Sequence, residues 1–230
     1  WEARYPTDGV IADKAAHIHR GQVLLWLREM ECLIGDEETA FFKRSWLQYW
    51  DLLPEKMIVV MTCDPAPPPS ELQLQKSLDK KDEEVWSVQG LAHGKYYLLE
   101  QVASRDHDPE WSATQFFALN ARWRPFKTVI ETVGYQRTLK AFLEHKMKEQ
   151  KRYHLIEGYP PAGREKDRRK KAHRIRQAFA GIASNSAFYV HPSQQEFISQ
   201  FCTYPNSQHD DRLDAAAIGM EVLQEMAGLD

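Results

Sequence analysis

Apolar and polar positions follow two periods along the chain, and the switches between them predict its elements. Met57-Ile58-Val59-Val60-Met61-Thr62-Cys63-Asp64-Pro65 is a short apolar run, β-branched at its centre. It reads as a buried central strand, and Pro65 ends it because proline has no N–H for a ladder. Val85–Leu91 and Tyr96–Val102 read as returning strands joined at the turn signal His93-Gly94. The three form a meander with the Asp64 strand interior. Helical spacing then runs from Asp108 or Pro109 to about Arg122, with Trp111, Phe116 and Leu119 facing inward. Phe126–Glu131 is a fourth strand, broken off by Gly134. Gln136–Gln150 is an amphipathic helix with Leu139, Phe142, Leu143 and Met147 on one face.

Tyr153–Ile156 and Ala187–Val190 read as short strands. Ser193–Phe201 reads as a helix capped by Ser193, with Glu196 in capping-box position. A last helix opens within Asn206–Asp214 and continues through Ala215, Ala216, Ile218, Met220, Val222 and Leu223. Ahead of the first strand, the chain to about Pro54 looks helical or irregular, with an amphipathic helix over Asp13–Met30. Phe41, Phe42, Trp46, Tyr49 and Trp50 form an aromatic segment expected to pack against the following domain. A meander, then helix–strand–helix–strand, then helices, is the order of an α/β fold with a mixed sheet.

Composition adds limits. The 230 residues, 43% hydrophobic and 27% charged, suit one large domain or a domain with an appendage. No apolar run approaches the roughly 20 residues of a membrane helix, and no signal peptide opens the chain. It starts at Trp1 without an initiator Met and is read as part of a longer protein. Cys32, Cys63 and Cys202 are too scattered for a disulfide framework or a zinc site and suit a reducing cytoplasm. No internal repeat and no phosphate-binding G-x-x-x-x-G-K-[ST] occurs. The net charge of −3 says little, but bases gather between Arg164 and Arg176.

Carboxylates carry the candidate chemistry. Asp64 and Glu131 each end an apolar strand before a breaker. If the strands are neighbours, both acids emerge at one sheet edge. Asp211 and Asp214, three apart on a helix, share a face, and Asp210 points elsewhere. Converging carboxylates repel one another unless a cation joins them, and hard ions such as Mg²⁺ and Mn²⁺ prefer such oxygens. Two ions about 3.5–4 Å apart clamp the attacking and leaving oxygens in phosphodiester cleavage. The competing reading makes Asp64 a turn cap and the helix-start acids partners of the helix dipole.

Asp64-Pro65-Ala66 after an apolar strand, the meander, Glu131, and His209-Asp210-Asp211-Arg212-Leu213-Asp214-Ala215 opening a helix resemble the nuclease domain of tailed-phage large terminases. Phe197-Ile198-Ser199-Gln200-Phe201 with Tyr204-Pro205, and Phe42-Lys43 with Trp46, Tyr49 and Pro54, extend the resemblance over nearly the whole chain. It implies a ribonuclease-H-like α/β fold, with a mixed central sheet flanked by helices. Residues 1–54 would be a helical linker from an absent ATPase domain, and 55–230 the nuclease. It implies a Mg/Mn-dependent endodeoxyribonuclease that cuts concatemeric double-stranded DNA during packaging with two divalent ions. Asp64 would bridge both ions, Glu131 would hold the ion that positions water, Asp211 would be the helix ligand and Asp214 its support. Asp82, His209 and Asp210 are auxiliary candidates. The partners implied are double-stranded DNA, an ATPase domain, a small terminase subunit and a portal, in the cytoplasm of an infected bacterium, with no membrane.

The basic segment has Ala172, Ile175 and Phe179 on one apolar face. Docked on that face, a helix would turn Lys166, Arg168, Arg169, Lys170, Lys171 and Arg174 or their neighbours outward to DNA phosphates, without base reading. A solvated charged loop is the plainer alternative. Other functions in play are a junction resolvase or transposase core, and a non-catalytic packaging or scaffolding module.

Overall fold

A computed structural model of the chain describes residues 40–66, 83–131, 136–160, 171–207 and 209–228, with a few positions between 9 and 16. The helix expected over Asp13–Met30 therefore lies almost wholly outside the described residues, as do Asp82 and the basic residues Lys166, Arg168, Arg169 and Lys170. The strands are β1 (Gln48–Tyr49), β2 (Ile58–Asp64), β3 (Glu84–Ala92), β4 (Lys95–Ser104), β5 (Lys127–Glu131), β6 (Ile156–Tyr159) and β7 (Phe188–Val190). The helices are α1 (Pro109–Trp123), α2 (Gln136–Gln150), α3 (Lys171–Ser184), α4 (Gln195–Thr203) and α5 (Asp211–Met226).

The seven strands form one mixed sheet in the order β1-β7-β4-β3-β2-β5-β6. β2, β3 and β4 are the expected antiparallel meander. The β3–β4 turn forms because His93 and Gly94 both take positive φ, 52° and 72°, the conformation a tight hairpin requires. β5 and β6 add in parallel beyond β2, each after a helical crossover. The Asp64 strand is interior, and β3 is buried along its whole length. The sheet is mixed and flanked by helices, as the sequence predicts.

One face carries α1 and α2 over Met61, Trp86, Val88, Phe116, Ile130 and Leu143. Asp108 caps α1, its carboxylate accepting from Trp111 N–H at 2.7 Å, and Pro109 fills the first turn. The other face carries α3, α4 and α5 over a second core, rich in phenylalanine. Phe42 belongs to it, fully buried and stacked on Phe201 with ring centroids 4.5 Å apart. The Trp50 indole donates to Leu98 O at 3.0 Å. Residues 48 and 49 pair with β7 as the edge strand, so the aromatic segment is built into this sheet.

Two elements differ in detail. β6 begins at Ile156, where the expected strand would end; Tyr153 and Leu155 are 71% and 51% exposed and precede the pairing. α4 begins at Gln195 with no side-chain cap, because the Ser193 hydroxyl is held by His191 Nδ1 at 2.6 Å.

A buried acid sits under α1. Glu84 Oε1 accepts from Trp86 Nε1 at 2.9 Å and from Ser112 Oγ at 2.6 Å. Its Oε2 lies 3.4 Å from His107 Nδ1, and neither atom has a hydrogen bond. Burial pushes the Glu84 carboxyl up from 4.5 to about 7 against those two donors, and burial pushes His107 down. A raised acid binds a proton in the folded state that the unfolded chain releases. Its contribution to stability is complete below about pH 4.5 and is lost as pH rises through about 7. The depressed His107 acts in the opposite sense, and only below its unfolded value. Glu84→Gln keeps both bonds to Oε1 and removes only the charge. It is expected to stabilise the fold by about 3 kcal/mol at pH 8 and to be neutral at pH 4.5. Thermal melts of the two proteins at both pH values check this; an equal shift at both would refute it.

Candidate active site

The parallel register of β2 and β5 sets Cys63 opposite Ile130, which places Asp64 and Glu131 side by side one residue further on. Both strands stop there, so both carboxylates emerge at one edge, as the strand pattern predicts. On β2, Thr62 and Asp64 share a face because side chains alternate, and that face is covered by α5. The two acids share a side-chain hydrogen bond, and Asp64 is pushed well above the usual carboxylate range by burial, then by the charges of Asp214 and Glu131.

α5 brings the remaining acids. Its first turn is secured by other groups: Arg212 N–H donates to Gln200 Oε1 at 3.2 Å, and Asp210 makes no side-chain cap. Asp211 and Asp214 are nevertheless buried, 7% and 2% exposed. Asp211 Oδ2 accepts from Glu83 N–H at 3.3 Å. Glu83 itself pairs with Arg212 Nε at 3.1 Å and Arg105 Nη1 at 3.3 Å, and so ties the start of β3 to α5. Sequence reasoning does not single out Glu83; its place beside Asp82 ahead of a strand is the available signal. Asp214, not Asp211, is the helix acid whose charge bears on Asp64. His209 lies half-buried just ahead of the helix.

Of the basic residues expected to face DNA, the two that are described, Lys171 and Arg174, turn inward, while Arg176 is exposed. Lys171 Nζ lies 2.7 Å from Asp210 Oδ1, 2.9 Å from Asp211 Oδ1 and 3.8 Å from Asp214 Oδ2. Arg174 grips Asp214 with two bonds, Nε to Oδ1 at 2.8 Å and Nη2 to Oδ2 at 2.5 Å, and Nη1 reaches Glu131 Oε1 at 3.3 Å. Its guanidinium also lies 5.4 Å from the Tyr159 ring centroid. The outward orientation expected of both residues is corrected. The inward stripe of α3 is 171, 174, 175, 178 and 179, and Ala172 is exposed. Buried carboxylates on α5 select that stripe, because a buried acid needs a partner. Asp210, expected to point away, is drawn back through Lys171. Burial pushes both bases down, but the acids more than offset this, so both are held charged.

The cluster thus has two halves. Asp211 and Asp214 are neutralised by the chain's own cations. Asp64 and Glu131 hold each other through a shared hydrogen bond. Among the described residues, no group of three or more His, Cys, Asp or Glu side chains is disposed to hold a metal ion as it stands. The donor chemistry of Asp64, Glu131 and Asp214 still fits a hard divalent cation: all oxygen, half-buried or buried, and repelling across the site. Among the described residues no helix is long and apolar enough to cross a membrane.

No protein-family model matches the chain, and no curated protein matches it by sequence. Solved structures do match. The nuclease domain of the P22 large terminase is 14% identical with a TM-score of 0.53, over 82% of this chain and 90% of that one. The large terminase nuclease from thermophilic phage G20c, with bound zinc, is 12% identical with a TM-score of 0.51, over 73% of this chain and 82% of that one. The large terminase from a second thermophilic bacteriophage is 10% identical with a TM-score of 0.53, over 77% of this chain and 42% of that longer one. The chain has the ribonuclease-H-like fold of large-terminase nuclease domains.

Proposed function

We propose that this chain is a metal-dependent DNA endonuclease of the large-terminase kind, cutting concatemeric double-stranded DNA during genome packaging. The observation that carries the reading is the pairing of Asp64 and Glu131 at the ends of adjacent parallel strands, with Asp214 facing them from α5. Acids gathered at one sheet edge, one buried and two half-buried, raise one another's cost of ionisation, and such clusters mark functional sites.

Asp64, Glu131 and Asp214 would hold divalent ions, two in number and Mg²⁺ or Mn²⁺, with Asp211 and the auxiliary His209, Asp210 and Asp82 around them. When bound, such ions supply the charge that activates water and stabilises the departing 3′ oxygen of a phosphodiester. Asp64 feels the charge of both other acids and is the bridging candidate. Glu131 orients Asp64 through their hydrogen bond, and Glu83 and Gln200 fix the first turn of α5. Lys171 and Arg174 hold the α5 acids in place and are themselves candidates to meet a DNA phosphate at the site. Lys166, Arg168, Arg169 and Lys170 would add phosphate contacts beside it. Residues before about 54 would connect to an ATPase domain, and the small terminase subunit and portal would be partners in the cytoplasm of an infected bacterium.

A plasmid-nicking assay in Mg²⁺, Mn²⁺ and chelator tests the reading. Nicking with either ion and none in chelator is expected, together with a rise in melting temperature on adding Mn²⁺, since an ion that binds only the folded state stabilises it. One observation favours a second reading, a non-catalytic packaging module: Lys171 and Arg174 already neutralise two of the acids. That reading requires no nicking and an unchanged melt in Mn²⁺.

A further inference from the structure

α5 is held through its own backbone by polar side chains that cross three strands. Thr62 Oγ1, on β2, donates to Ala215 O at 2.7 Å. Gln101 Nε2, on β4, donates to Arg212 O at 2.9 Å. On β3 between them, Gln89 Nε2 donates to Thr62 Oγ1 at 3.2 Å and to Ser87 Oγ at 2.7 Å, and Gln101 Nε2 also reaches Ser87 Oγ at 2.9 Å. Because Gln89 donates to the Thr62 oxygen, the single Thr62 proton is left for an acceptor, and Ala215 O is nearer than Ser87 O at 3.3 Å.

The two gripped carbonyls lie one turn apart on α5. A carbonyl has two lone pairs, so each can serve its helical partner and a side chain as well. Two such holds, three residues apart, fix both the rotation of the helix about its axis and its position along it. The gripped residues, Arg212 and Ala215, each directly follow one of the acids, Asp211 and Asp214. Thr62 lies two residues before Asp64 on the same strand and the same face.

The arrangement is costly. Gln89 and Gln101 are buried, and the Oε1 of each has no hydrogen-bond partner, a loss that an apolar pair would avoid. Gly219 makes room for it: a Cβ there would collide with the Gln89 carboxamide. An apolar layer of the same volume would hold α5 on the sheet, yet it would define no register. Buried polar groups are useful where they select one arrangement among several.

We propose that Thr62, Gln89 and Gln101 are positioning residues that set the register of α5 and so fix Asp214 beside Asp64 and Glu131. The consequence for metal rests on the nuclease reading above; the control of helix register does not.

Thr62→Val keeps the shape and removes the donor, and Thr62→Ser keeps the donor. Hydrogen exchange in chelator reads the register directly. In Thr62→Val, amides 212–219 are expected to exchange about tenfold faster, with 221–226 unchanged, and Thr62→Ser should match wild type. Mn²⁺ titration followed by electron paramagnetic resonance should show affinity about tenfold weaker in Thr62→Val and restored in Thr62→Ser. Uniform acceleration along α5, or none, overturns the proposal and leaves a merely structural contact. Local acceleration with unchanged Mn²⁺ affinity overturns the link to the site. If wild type binds no Mn²⁺, the nuclease reading falls, and the exchange pattern still decides the register. Should Thr62→Val fail to fold, Gln101→Met at the outer end of the line carries the same comparison.

Discussion

Asp64→Asn is expected to abolish nicking and, in chelator, to raise the melting temperature. The two effects have one cause. Asp64 is half-buried beside Glu131 and feels the charge of Asp214 as well, so without a divalent ion its negative charge is a liability. The amide removes that charge, keeps the shape, and can donate to Glu131 where the acid had to share a proton. The folded state therefore gains. The same change takes away the oxygen charge best placed to bridge two ions. Cleavage is expected to fall at least about a thousandfold, equivalent to about 4 kcal/mol of transition-state stabilisation. The Mn²⁺-induced rise in melting temperature should shrink with it. Melting curves with and without Mn²⁺, beside the plasmid assay, check all three. A variant that is destabilised in chelator, or that nicks at a rate near wild type, would remove Asp64 from the centre of the site.

Much of this site was legible in the chain because strands report their ends plainly. An apolar run, a carboxylate and a breaker define where Asp64 and Glu131 emerge, and the interior place of the first strand follows from the meander. The position of β1 was not legible: two residues carry no periodic signal, and Gln48–Tyr49 becomes a strand only because β7 pairs with it. The apolar residues Tyr153 and Leu155 drew the expected fifth strand forward, although they lie exposed ahead of β6.

The orientation of α3 was misread for a different physical reason. Two stripes of this helix share Ile175 and Phe179; one adds Ala172, the other Lys171, Arg174 and Ala178. Hydrophobicity alone favours the first. The second wins because α5 buries Asp211 and Asp214 opposite it, and the gain from pairing those acids exceeds that from burying one alanine methyl. A choice made by tertiary charge pairing leaves no trace in the periodicity of one helix. The partners of the α5 acids leave no trace there either: helical spacing puts Asp211 and Asp214 on one face, but it does not reveal that Asp211 accepts from Glu83 N–H and Lys171 while Asp214 takes Arg174.

Arg174 is the side chain on which the metal-free cluster leans most. It is 8% exposed, and it gives Asp214 two bonds and Glu131 a third. Arg174→Met keeps the length and the apolar stem but leaves a buried carboxylate facing two others. Breaking one partner of a buried pair costs about 3–5 kcal/mol. For a domain of this size that lowers the melting temperature by about 10 °C in chelator. Adding Asp214→Asn to Arg174→Met should recover most of the loss, because the cost lies in the unpaired charge. In Mn²⁺ the expectation reverses in sense: with the competing guanidinium gone, the ion should raise the melting temperature further in Arg174→Met than in wild type. His173→Met, exposed on the same helix, serves as the control and should change stability by no more than about 0.5 kcal/mol. If Arg174→Met melts with wild type in chelator, the guanidinium is not what holds the acids. If its Mn²⁺ response is no larger than wild type's, Arg174 does not compete for the oxygens an ion would use, and the ion must sit on oxygens other than those of Asp214 and Glu131 Oε1.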